Sequence, residues 1–179
     1  KNPDTRRNRT IFIFACEASS PPFRIDSTDP VKAVLQRPDE VLFDGTSRTE
    51  FGRIAEAFRS GKRVVTEING LRMTVGGIFR LGTSFASDGN VLMGTSAFHR
   101  MFSSQTPGMV NLGVIRLQPE ADVQQVQKDL VERLPDDVAV LTRTEWMARE
   151  KDYWANRTPI GFVIGAGLIV GFVVGAVIV

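Results

Sequence analysis

The sequence predicts an α+β domain followed by one membrane helix. Three observations carry the prediction. Short β-branched and aromatic runs are mixed with helix-period runs up to residue 157, Asn69-Gly70 separates two of the β-type runs, and residues 159–179 hold no charged side chain. The order strand, helix, strand, strand, then strand, helix, strand, helix favours a sheet packed on helices.

Taken in order, Thr10 to Cys16 is a compact apolar run and reads as a buried strand, and Ser19 to Pro30, with three prolines, reads as a loop. Glu40 to Asp44 is a short strand with a polar turn after it at Gly45 to Ser47. Phe51, Ile54, Ala55 and Phe58 recur at helical spacing, which predicts a helix of about ten residues ended by Gly61. Lys62 to Ile68 and Leu71 to Phe79 flank Asn69-Gly70, a hairpin signal because both central residues of the tight turn favour positive φ. Gly82 to Asn90 is a loop, Val91 to Met93 a strand, Ser96 to Met101 a short helix, and Met109 to Leu117 a strand. Ala121 to Leu134 carries the apolar stripe Val123, Val126, Leu130, Val131 and Leu134, and Pro135 ends that helix. Val138 to Leu141 reads as a strand, and Thr142 with Glu145 forms a capping box that opens a further helix.

All the charged residues, 22 Lys and Arg and 20 Asp and Glu, lie at or before Arg157. Two regions follow from this, an extramembrane domain over 1–157 and a membrane helix over 158–179. The domain is long enough for one core or for two small lobes. Basic and acidic residues alternate rather than gathering on one element, so no nucleic-acid partner is expected. Lys1 to Arg9 is locally basic, which fits a frayed polar terminus, with contact to phosphates or lipid headgroups as the alternative. A chain that starts at Lys1 and stops at Val179 inside an apolar run is expected to be a piece of a longer polypeptide.

Pro159 to Val179 would reach roughly 31 Å as a helix, which matches a bilayer hydrocarbon core of about 30 Å. A buried core helix is the alternative, although one of this length would show a polar stripe. Tyr153, Trp154 and Arg157 are expected to anchor the helix in the headgroup layer. Gly161 and Gly165 form one small-xxx-small pair, and Gly167, Gly171 and Gly175 form a second series, which predicts packing against a partner helix.

Catalytic chemistry is hard to assemble from this composition. His99 is the single histidine and Cys16 the single cysteine, so no zinc cluster, Cys/His dyad or disulfide follows. The sequence holds no Gly-x-Ser-x-Gly elbow, no phosphate loop and no dinucleotide fingerprint. No catalytic, metal or cofactor residue is expected, and any ATP hydrolysis falls to another chain.

Several segments taken together carry a family resemblance. They are Phe43-Asp44, Ser47-Arg48, Glu50-Phe51-Gly52, Val64-Val65-Thr66-Glu67 and Val75-Gly76-Gly77-Ile78-Phe79, then Leu81-Gly82, Ser84-Phe85-Ala86 and Asp88-Gly89-Asn90. Closer to the end come Glu150-Lys151-Asp152-Tyr153-Trp154, Thr158-Pro159-Ile160-Gly161-Phe162 and Gly171-Phe172-Val173-Val174-Gly175. In order and spacing the chain resembles the permease of DevC-type ABC exporters, relatives of the MacB group.

The resemblance implies a MacB-like periplasmic core of two small lobes between the first and second membrane helices of an inner-membrane permease. It also implies a permease dimer, a separate ABC ATPase subunit, a periplasmic adaptor (membrane fusion) protein and an outer-membrane channel. Motion driven by ATP would pass from the membrane helices through the periplasmic domain, to export a lipid or other hydrophobic cargo. No residue of the sequence is assignable to contact with cargo.

Three other readings compete: a sensor or receptor ectodomain on a single anchor, an FtsX-like regulator of a cell-wall hydrolase, and a membrane-tethered enzyme. The adaptor-contact candidates are Phe85 and Asp88 in the Gly82 to Asn90 loop, with Phe98 and Phe102. For Phe85 and Phe102, burial within the domain is the alternative. A mechanical coupler needs a stiff joint to its membrane helix. The capped helix from Thr144 through Trp154 reaches Pro159 without a Gly/Ser linker, though Asn156 to Thr158 is a candidate break because a residue before proline disfavours helix.

Overall fold

The computed structural model describes the chain except residues 1, 3–4, 6–7, 22–24, 26–30, 85–86, 105–107 and 179, and it describes no side chain at 160, 164 and 178. The chain divides into two compact units, Lys1–Val114 and Ile115–Val179.

The first unit is mixed α/β. Its elements are β1 (Phe12–Cys16), α1 (Val31–Leu35), β2 (Glu40–Asp44), a 3-10 turn at Thr49–Phe51, α2 (Ile54–Arg59), β3 (Val65–Ile68), β4 (Leu71–Phe79), β5 (Asn90–Gly94) and α3 (Thr95–Met101). The five strands form one sheet in the order β1-β5-β2-β4-β3. β1 runs parallel to β5 and β2 parallel to β4, while β5–β2 and β4–β3 are antiparallel.

Both faces of the central strands are buried, which explains why β2 and β5 read as near-continuous apolar runs rather than alternating ones. Val41, Phe43, Val91 and Met93 join Ile54 of α2 and Ala97 and Met101 of α3 in one cluster. The neighbouring Leu42 and Leu92 belong to a second cluster with Val34 and Leu35 of α1 and with Cys16. Each Val, Leu, Ile, Phe or Met side chain among them stabilises the unit by roughly 1.5–3 kcal/mol when fully buried.

A β-bulge divides β4 between the two clusters. Val41 pairs with Val75 but Leu42 pairs with Gly77, so Gly76 has no partner of its own. One extra residue inverts the side-chain alternation beyond it. Met73, Val75 and Ile78 therefore share one cluster, and Phe79 reaches the other. The bulge residue is a glycine for reasons of space, since a Cβ there would lie 2.8 Å from Val34 Cγ2 and 2.6 Å from Glu40 Oε2.

The Asn-Gly hairpin forms as expected, with Asn69 at φ 47° and Gly70 at φ 79°, the left-handed pair of a type I′ turn. Asn69 Nδ2 also donates to the Met101 carbonyl at 2.8 Å, which ties the turn to the end of α3. Gly61 ends α2 at φ 78°. Its N–H donates to Phe58 O and the Lys62 N–H to Ala57 O, the two bonds of a Schellman cap.

Four expectations need correction. The predicted helix through Phe51 is split in two, because Gly52 at φ 98° leaves helical space between the 3-10 turn and α2. β1 is an edge strand rather than a buried one, and Phe12 is 51% exposed at its start. Met109 to Leu117 and Val138 to Leu141 are not strands. No ladder pairs either segment among the described residues, and an unpaired run of extended-type residues has no sheet to join. In the second segment local bonds take that role, since Val138 N–H donates to Pro135 O and Gln127 Nε2 donates to Val140 O. A fifth difference is an omission, since the short helix α1 was not expected.

The second unit holds α4 (Val123–Arg133), α5 (Arg143–Asn156) and α6 (Pro159–Ile178). Asp122 caps α4 by accepting from the N–H groups of Gln124 and Gln125 at 2.9 and 3.2 Å. The predicted capping box of α5 is present. Glu145 N–H donates to Thr142 Oγ1 at 3.2 Å, and Thr142 N–H donates to Glu145 Oε2 at 2.7 Å. The Thr142 N–H, then its hydroxyl and the Gln127 amide, hold the Glu145 carboxyl below its ordinary range.

Candidate functional site

The junction of α5 and α6 is a defined elbow. α5 stops at Asn156, where the coming proline disfavours helix for Thr158. The end is closed locally, with Arg157 N–H donating to Tyr153 O at 2.9 Å and Thr158 Oγ1 donating to Trp154 O at 2.8 Å. Pro159 then opens α6, where a missing N–H costs nothing. Beyond the turn the two backbones touch, and a Cβ added to Gly161 would overlap the Ala155 carbonyl. Gly161 is thus a residue of close approach within the chain.

Side chains at the end of α5 pair with one another. Asn156 Nδ2 donates to Asp152 Oδ1 at 2.8 Å, and Arg157 Nε lies 3.9 Å from Asp152 Oδ2. Trp154 Nε1 donates to Glu150 Oε2 at 3.3 Å, and the Tyr153 and Trp154 rings meet edge-on with centroids 5.6 Å apart. Among the described residues no single helix is long and apolar enough to cross a membrane. Arg143–Asn156 and Gly161–Val177 pass such a test together, as a pair bent by 65°. The expected break is therefore real, and it is a bend held by contacts.

The remaining glycines of α6 differ from Gly161. A Cβ on Gly165, Gly167, Gly171 or Gly175 would meet nothing within 4 Å. These four face open space, whereas Gly161 is used inside the elbow.

A second constellation lies at the C-terminal ends of β2 and β4, and sequence reasoning missed its role. Asp44 is fully buried, and its carboxylate accepts five hydrogen bonds. Oδ1 takes Thr46 Oγ1 at 2.6 Å, Thr46 N–H at 3.0 Å and Leu81 N–H at 3.3 Å. Oδ2 takes Gly82 N–H at 3.0 Å and Asn90 Nδ2 at 2.8 Å. Asn90, also buried, donates as well to Gly82 O at 2.8 Å and accepts from Ser87 Oγ at 3.2 Å. Burial raises the Asp44 carboxyl's pKa, but the donors, Thr46 and Asn90 first, outweigh it and leave the value below the ordinary one. With its lone pairs taken by donors, this carboxylate acts as a clamp, and the loop from Gly82 to Asn90 is rooted on it at both ends.

The structure separates the adaptor-contact candidates. Asp88 sits in that rooted loop, 3.1 Å from Arg48 Nε. Phe98 and Phe102 lie beyond the other end of β5, half-buried against the core, with ring centroids 4.9 Å apart. Phe85 lies outside the described residues. His99 packs edge-on against Phe98, and the buried Cys16 thiol is pushed up to about 11 by burial and by Glu17. Among the described residues no group of three or more His, Cys, Asp or Glu side chains could hold a metal ion.

Comparison with known proteins finds no family model, no curated protein and no solved structure that matches this chain.

Proposed function

We propose that this chain is the extramembrane domain and adjoining membrane helix of an ABC exporter permease of the DevC and MacB type. In this reading residues 1–157 form a MacB-like core of two small lobes in the periplasm and α6 enters the inner membrane. The domain couples ATP-driven helix motion to an adaptor and an outer-membrane channel, and the ATPase is a separate subunit.

The observation that carries the reading is the elbow. A coupling domain needs its membrane helix joined to it without slack. Here the capped helix α5 meets an uncharged helix of 20 residues, about 30 Å long, through two residues only. The bend is braced by Gly161 against Ala155 and by Thr158 on Trp154. The open series Gly167, Gly171 and Gly175, four residues apart on one face, suits a second membrane helix, as a permease dimer would need. Gly82 and Asn90, both held on Asp44, offer a rigid footing of the kind that an adaptor would grip.

Purification of the full-length protein from detergent, with Gly171→Leu alongside and mass spectrometry of the partners, tests this reading. Recovery of an ABC ATPase and a periplasmic adaptor, weakened by the variant, is expected. Recovery of a cell-wall hydrolase, or of no ATPase at all, would overturn it.

A further inference from the structure

We infer that α5 does not stand on the membrane as an upright extension of α6 but lies within the lipid headgroup layer, with Trp146, Met147, Tyr153 and Trp154 turned to the lipid. This rests on the proposed membrane insertion of α6.

Three observations lead here. The first is the face itself. At 100° per residue these four side chains share an arc of roughly 120° with Arg143, Glu150 and Arg157. Trp146, Met147 and Tyr153 are 44%, 58% and 49% exposed. Aromatic rings with one wet end, bracketed by arginines whose stems lie on apolar surface while their heads reach phosphate, are the chemistry of the bilayer interface.

The second observation is the polar side of the helix. Glu145, Arg149, Asp152 and Asn156 fall outside that arc, and Gln127 Nε2 of α4 donates to Glu145 Oε2 at 2.7 Å. Gln127 of the same unit thus meets the polar side of α5, while Trp146, Met147 and Tyr153 stay exposed.

The third observation is the bend. With α6 along the membrane normal, a 65° bend leaves α5 within about 25° of the membrane plane. Trp146 is eight residues before Trp154, about 12 Å along the helix, so it rises only about 5 Å above Trp154. A headgroup layer is about 5–8 Å deep, and both rings stay within it. A collinear helix would lift Trp146 about 12 Å, into water. The aromatic face is also continuous with the uncharged helix through the elbow, which makes lipid its nearest occupant.

The two tryptophans of the chain are both on α5, so intrinsic fluorescence reports on this helix alone. The 179-residue chain and its Trp154→Phe and Trp146→Phe variants are reconstituted into phosphatidylcholine/phosphatidylglycerol vesicles whose acyl chains carry bromine near the headgroup. Quenching of Trp146 to at least about half the extent of Trp154 is expected. Quenching of Trp154 with Trp146 untouched would overturn the inference, whether Trp146 then stands in water or under another protein. If neither is quenched and alkaline carbonate strips the chain from the vesicles, the membrane reading of α6 itself fails. A nitroxide on Met147→Cys gives a second readout, because Cys16 is buried and escapes labelling. Relaxation by oxygen rather than by a water-soluble nickel complex is expected, and the reverse contradicts the inference.

Discussion

Asn90 Nδ2 lies 2.8 Å from Asp44 Oδ2, a buried bond that joins two strands across 46 residues of chain. Among the described residues no cation lies within hydrogen-bond reach of the carboxylate, and its charge is met there by N–H and O–H donors. Asp44→Ala would leave the Gly82 N–H and the buried Asn90 amide without their shared acceptor. A loss of about 3 kcal/mol or more is expected, read as a lowered urea midpoint. An unchanged midpoint would mean that the loop is rooted elsewhere.

The same group sets an acid limb. Its folded pKa is depressed, so its contribution is complete above about 4, the range of an unfolded Asp, and is lost as pH falls towards the folded value. Between those two values the unfolded chain holds the extra proton, and stability therefore rises with pH. Wild type should lose stability steadily below about pH 4, and Asp44→Asn should lack that part of the slope in thermal melts across the acid range.

Gly94 ends β5 where a Cβ would overlap the Leu35 carbonyl, although its own φ of −76° suits any residue. Gly94→Ala must push α1 away from the sheet, at about 1–3 kcal/mol. Gly113→Ala, with nothing within 4 Å, should cost little by comparison. Equal melting temperatures for the two variants would contradict the packing described for α1.

Cys16 is expected to be nearly inert. Its thiol stays protonated to about 11, against about 8.5 for a free cysteine, so the thiolate fraction at pH 8 falls by roughly two orders of magnitude. Alkylation by iodoacetamide should be slower by at least that factor in the native chain than in urea. Fast native alkylation would show that the second core cluster opens readily.

Several elements of both units were legible because their signals are local. Asn69-Gly70 needs only the φ preference of two residues, and Thr142 with Glu145 needs only one turn of helix. What escaped depends on distant partners. Asp44 and Asn90 stand in Asp-Gly and Gly-Asn contexts that read as turns, and nothing near either residue announces the other. The five residues of α1 are too few to display a helical period. Met109 to Leu117 has strand composition, but a strand exists only where another pairs with it. The spacing of the glycines in 159–179 gives two packing series, Gly161 with Gly165 and Gly167 with Gly171 and Gly175, and only the bend at Arg157 and Thr158 sets Gly161 apart.

Coupling through the elbow is the central claim, and slack inserted there tests it most directly. Two glycines added between Arg157 and Thr158 of the full-length permease, co-reconstituted with its ATPase and adaptor, should leave basal ATP hydrolysis intact. The same insertion should abolish the change in hydrolysis that the adaptor produces. An insertion variant that keeps the full adaptor response would contradict the account.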